Sequence, residues 1–228
     1  MTWFRDIPVT RNDDRKYYYY LPPEEDQRVR FEETIIAAMF ITGDFFMAQN
    51  IEGAFRSGVF ATERDLAMRS NIPSNMDYYS VLFSKKYEDA LALYTKIAQE
   101  NVETIAKRTS TKLFNDILLA MQRGEDPDSI EEIIAVAMAS FESQVQREII
   151  IAINQGNNEG RLIATTIVAA AVGASAFVEH RSALLPTTRP HHASRHRKIY
   201  TVDQQRQWWA TGANRINCYC SVRPILKK

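Results

Sequence analysis

Residues 84–123 read "SKKYEDALALYTKIAQENVETIAKRTSTKLFNDILLAMQR". Leu91, Tyr94, Ala98, Val102 and Ile105 recur at steps of three and four, and Leu113, Ile117 and Ala120 extend the series. That period is one face of an α-helix, with charged residues on the other face. A helix of this length sets the character of the chain: mainly α. Working outward from it, "RGEDPDS" breaks the chain at Gly124 and Pro127, and Asp128 or Ser129 is placed to cap the next helix, with Glu131 and Glu132 in its first turn. That helix is expected to run to about Gly156, and another from about Asn158 to about Arg181. On the amino-terminal side, Pro22-Pro23 and "EEDQ" open a mostly helical region, 24–70, which Gly43, Gly53 and Gly58 are expected to divide into shorter helices.

The two ends have a different composition. Residues 1–23 hold Pro8, Pro22, Pro23, the polar run "RNDD" and four consecutive tyrosines at 17–20, which suits an extended arm. Such an arm folds back on its own body or docks on a neighbouring subunit. Residues 181–228 hold three prolines, two tryptophans, three of the four histidines and both cysteines. The expected organisation is therefore an extended arm at 1–23, a helical body at 24–180, and a small basic α+β module at 181–228.

Charge follows the same division. Lys and Arg number 28 and so do Asp and Glu, yet residues 180–228 carry ten bases against one acid, Asp203. The remainder of the chain carries the opposite excess. A cationic module suits a phosphate backbone or an acidic protein surface. Arg189, Arg195, Arg197, Lys198, Arg206, Arg215 and Trp208 are the candidate contacts with a partner or DNA, Trp208 because an aromatic ring beside Arg206 stacks on bases or anchors a protein surface. Of the adjacent pair Trp208 and Trp209, helical spacing sends only one inward. The uncharged run "IATTIVAAAVGASAFV", 163–178, is too short and too weakly apolar to span a bilayer and is expected as a buried helix. The first residues contain no apolar core of signal-peptide length. Two cysteines two residues apart make a strained ring if bonded, so a reducing cytoplasm is the expected place of assembly.

The His and Cys residues permit three readings. His192 and His196 share a face if helical, and Cys218 and Cys220 share a face if extended. Brought together, they form a closed His2Cys2 set for structural Zn2+, useful to a module with a small core. In the second reading the thiols are small buried side chains and the imidazoles bond to backbone. In the third, a cysteine and His192 form a nucleophile pair, as in a Cys/His hydrolase or toxin-like enzyme, although Asp203 is the only acid in the module to orient it.

Four pieces, in order, resemble the Mu F-like phage head morphogenesis, or minor head, proteins. They are "LLAMQRGEDPDSIEEI" (118–133), "QREIIIAINQG" (146–156), "RPHHASRH" (189–196) and "INCYCSVRP" (216–224). Glu148, Ala152, Asn154 and Gly156 match the second motif, Arg189, His192 and His196 the third, and Asn217, Cys218 and Cys220 the fourth. The resemblance covers about residues 115–226. Gln146 and Arg147 depart from the family's Arg-Thr, and Arg197 stands where the family commonly has Gly. If that position needs a positive φ, an Arg there is strained. The resemblance implies a non-enzymatic virion protein, assembled in host cytoplasm. It would sit at the portal or inner capsid, with portal, capsid proteins and packaged DNA as partners, would be multimeric in the virion, and would act in head assembly, DNA packaging or genome delivery. Glu148, Asn154 and Asn217 would be structural motif residues bracing the module. A zinc-stabilised nucleic-acid-binding module outside any virion is the other alternative, weakened by the lack of a helix-turn-helix or repeated metal spacing.

Overall fold

The computed structural model describes residues 9–11, 17–19, 50–68, 77–216 and 218–228. The elements are two short strands, β1 (Val9–Arg11) and β2 (Tyr17–Tyr19), helix α1 (50–68), then α2 (Tyr79–Leu82), α3 (Lys85–Arg123), α4 (Pro127–Ala171), β3 (Ser175–Arg181), α5 (Pro190–Ala193), β4 (Ile199–Thr201), α6 (Val202–Ala210) and β5 (Ser221–Lys227). The protein is mainly helical, with a small antiparallel sheet in its carboxy-terminal part. Among the described residues, no helix is long and apolar enough to cross a membrane. Two compact units emerge, one of residues 1–46 and 99–148, the other of residues 47–98 and 149–228.

In the first unit, β1 and β2 pair antiparallel, Val9 opposite Tyr19, and the Tyr17 N–H donates to the Gly124 carbonyl. This part of the arm therefore lies on its own chain. Gly124 adopts φ 71°, the left-handed conformation in which helices end without Cβ strain, and Glu125 N–H closes on Ala120 O. The cap of α4 is Asp126, not Asp128 or Ser129. Its carboxylate accepts from both the N–H and the hydroxyl of Ser129, Pro127 fills the first helical position, and these bonds hold the Asp126 carboxyl below its ordinary range.

In the second unit, α1 runs unbroken through Gly53 and Gly58, which correct the expectation of divided helices; Gly43 lies outside the described residues. Gly58 is there because of a close helix crossing. A Cβ on it would stand 2.1 Å from the Asn157 carbonyl oxygen, and a Cβ on Gly160 would stand 2.2 Å from that of Phe55. Two glycines let the backbones of α1 and α4 approach closely. This also explains why α4 passes Gly156 without ending: the glycine faces the Phe55 ring, where an added Cβ would come within 2.9 Å. The expected stop near Gly156 and restart near Asn158 are thus replaced by one helix.

A second correction lies just beyond. The chain leaves α4 at Gly173, φ 63°, with Ala174 N–H bonded to Ala169 O. Residues 175–181 are then a strand, where a helix to about Arg181 was expected. β3 is the centre of a three-stranded sheet, order β4-β3-β5, pairing Val178 with Tyr200 on one side and Pro224 on the other. Alternation sends Val178 and His180 to one face, where Val178 joins Leu162, Val202, Trp209 and Val222 in a core. At the opposite face Glu179 pairs with Arg181 and Arg223. Helix α6 starts from a capping box, Thr201 Oγ1 accepting from Gln204 N–H while the Gln204 side chain accepts from Thr201 N–H.

Candidate metal centre

The Cys218–Cys220 segment is irregular rather than a strand, and it is held from outside. Asn154 and Asn158, four apart on one face of α4, both reach it. The Asn154 amide donates to the carbonyls of Cys218 and Cys220 at 2.9 and 3.2 Å. The Asn158 amide donates to Cys220 O at 2.9 Å, and its carbonyl accepts from Val222 N–H at 3.1 Å. Arg189 locks the approach, its guanidinium donating to the carbonyls of Ala213 and Ile216, 2.7 Å each. Pro190 then opens the short helix α5, which carries His192 inward.

His192 is 2% exposed, Cys218 5% and Cys220 3%. The His192 Nδ1 lies 3.4 Å from Cys220 Sγ and 3.5 Å from Cys218 Sγ, and the donor atoms of all three lie within 4.8 Å of one another. For a tetrahedral ion with metal–sulfur and metal–nitrogen bonds of about 2.3 and 2.0 Å, sulfur and nitrogen stand about 3.6 Å apart. The three residues form a buried group that could hold a metal ion.

The electrostatics agree with a site that shares its protons. Cys220 is pulled down chiefly by the hydrogen bond from the Cys218 thiol, with His180 and His192 adding to the effect. Cys218 is pushed up by the same bond and by burial. Burial holds His192 below the ordinary imidazole range, so it is neutral with a lone pair available. Its other nitrogen, Nε2, is buried and makes no hydrogen bond among the described residues.

His196 is not in the group. Helix α5 ends at Ala193, so the four-residue helical spacing to His192 does not hold. His196 instead lines a separate depression with Ser182, Arg181, Arg223 and Tyr219. The Glu148 carboxylate accepts from the Asn101 amide on α3 at 2.7 Å. Asn217 lies outside the described residues.

Most of the candidate binding cations have internal partners. Arg195 lies over the rings of Tyr200 and Trp208 at 3.6 and 4.3 Å, Arg206 pairs with buried Glu159, and Arg215 covers Tyr94. Arg197 and Lys198 are exposed. Arg197 has φ 62°, so an Arg does occupy a left-handed position. Trp209 is buried, as one of the tryptophans had to be, and Trp208 is half-buried against His180 and His192 rather than projecting freely.

The residues not anticipated are Asn158, His180 and Gln205, all buried. Asn158 was recognisable from its four-residue spacing to Asn154 once the helix is continuous. The cavity beside the thiols, lined by Tyr94, Asn154, Asn158 and Trp209, measures about 10 Å³. It accepts about one water at most, and no organic substrate. Compared with known proteins, the chain matches no family model, no curated protein and no solved structure.

Proposed function

We propose that the protein is a phage minor head protein of the Mu F-like kind, seated at the portal or the inner capsid wall, and that its carboxy-terminal module is a structural knob stapled by Zn2+. The observation that supports this reading is the convergence of the motif pieces. Asn154 from the second holds the carbonyls of the fourth, and His192 from the third meets the two sulfurs of the fourth. Arg197 sits at φ 62° where the family commonly has Gly, which fits the same turn carried by a costlier residue.

Structural rather than catalytic use is supported by the burial, by the water-sized cavity, and by the composition of the donor group, which contains no carboxylate. Zn2+ is the ion that suits two thiolates and a neutral imidazole in tetrahedral array. The internal pairing of Arg195, Arg206 and Arg215 favours a protein surface over DNA as the module's main partner; Arg197 and Lys198 supply the outward charge. Expressed together with the portal and capsid subunits of its own virion, the protein co-elutes with the portal ring. Elution apart from that ring, together with heads of normal DNA content formed without the protein, would overturn the assignment. DNA binding that falls steeply between low and physiological salt would restore nucleic acid as a partner.

A further inference from the structure

His180 is buried completely at the centre of the sheet, at 0% exposure, one strand away from the thiols. Its tautomer follows from its neighbours. The Gln205 Oε1 atom is 3.3 Å from Arg195 Nη2 and 3.3 Å from His180 Nδ1. A guanidinium only donates, so the Gln205 atom facing it is the oxygen; an amide oxygen only accepts, so His180 Nδ1 carries the proton. The other nitrogen, Nε2, is then a bare lone pair. It is buried and makes no hydrogen bond among the described residues. Ser182, two residues further along the chain, lies 3.9 Å from Cys220 Sγ, and the Trp208 ring packs against both His180 and His192, at 5.1 and 4.8 Å. A buried lone pair without a partner is costly, and a metal ion at the His192, Cys218 and Cys220 group would satisfy it.

Building on the zinc reading above, we propose that His180 Nε2, and not His196, is the fourth ligand of the metal, closing a set with His192 Nδ1, Cys218 Sγ and Cys220 Sγ. The outer partners suit the role. Gln205 accepts from the far nitrogen of His180, the arrangement that fixes ligand imidazoles, and Arg195 fixes Gln205 in turn. Asn154 and Asn158 hold the two cysteines by their carbonyls. His180 stands outside the tight circle of the other three donors, so binding draws its ring inward.

The full chain, loaded with cadmium-113 in place of zinc, tests this without altering a ligand. One metal nucleus couples to the ring protons of two histidines and to both cysteines. The chain has four histidines; the coupled pair is assigned by His191→Asn and His196→Asn, neither of which removes a coupled signal. A single coupled imidazole, or loss of the second in His196→Asn, overturns the ligand assignment and leaves the zinc reading standing. A chain that retains no metal at one equivalent overturns both. In competition with a chelator, His180→Asn, shown folded by circular dichroism, loses at least ~100-fold in zinc affinity and Gln205→Ala about tenfold; unchanged affinity in His180→Asn would equally sink the assignment.

Discussion

Asn158 illustrates how much a single side chain fixes here. It is 3% exposed and acts in both directions, donating to Cys220 O and accepting from Val222 N–H. Asn158→Ala leaves the buried Val222 N–H without this acceptor, whereas Cys220 O keeps the Asn154 amide, and the loss of one such partner costs about 1–3 kcal/mol. Urea denaturation should show a loss of about 1–3 kcal/mol, with the α6 tryptophan fluorescence reporting it. Arg197 offers the opposite case. A non-Gly residue in the left-handed region costs about 1 kcal/mol, and the bond that matters there, Arg197 N–H to His180 O at 2.8 Å, is made by the backbone. Arg197→Gly is therefore expected to raise stability by about 1 kcal/mol in the same assay while removing an outward charge. A lower midpoint would show that the Arg side chain stabilises the turn in some further way.

At the scale of elements, helix α3 was legible because its apolar residues keep one period for nearly forty positions, and the structure places it at Lys85–Arg123. The end of α4 and the strand β3 were not. Glycine normally weakens a helix, so Gly156 reads as a stop; only the approach of the Phe55 ring and the carbonyl of Phe55 shows that Gly156 and Gly160 serve packing instead. The Ala- and Val-rich run up to Val178 carries no period that separates helix from strand, and its division is decided by the left-handed turn at Gly173 and by pairing partners more than twenty residues away. The metal group shows the same limit. Cys218, Cys220 and His192 were recognisable as residue types that cluster, while the buried His180, proposed to join them, was hidden because its neighbours come from β5 and α6. The crossing of α1 and α4 gives a sharp contrast between the glycines at it and those away from it. Gly53 is exposed with nothing within 4 Å of an added Cβ, so Gly53→Ala should stabilise by about 0.5–1 kcal/mol. Gly160→Ala meets backbone at 2.2 Å and should cost about 2–4 kcal/mol, read as a fall in thermal midpoint.

For the molecule as a whole, the proposed zinc and the pH would act on the same group. Burial holds His192 below its ordinary value, so the unfolded chain binds the proton more readily. The stability this contributes is present above the unfolded value of about 6.5 and is lost as pH falls from there through the folded value. Zinc bound as proposed would steepen the loss, because its ligands must be deprotonated and protons compete for them. Melting curves of the zinc-loaded and chelated forms between pH 8 and 5 should therefore diverge at the upper end and converge at the lower. Parallel curves would mean that the metal and the imidazole are unconnected.

The paired glycines at 58 and 160 also set how this chain tolerates change. Each hydrogen occupies a place where the facing main chain leaves no room for a methyl. Once one helix has been wedged away by a larger residue, the second position no longer feels the same obstruction, so the two penalties fall short of their sum. A library randomised at both sites and selected for folding would return glycine at the two together, with a minor class in which both are enlarged and the helices have re-seated, whereas position 53 would drift freely among good helix formers.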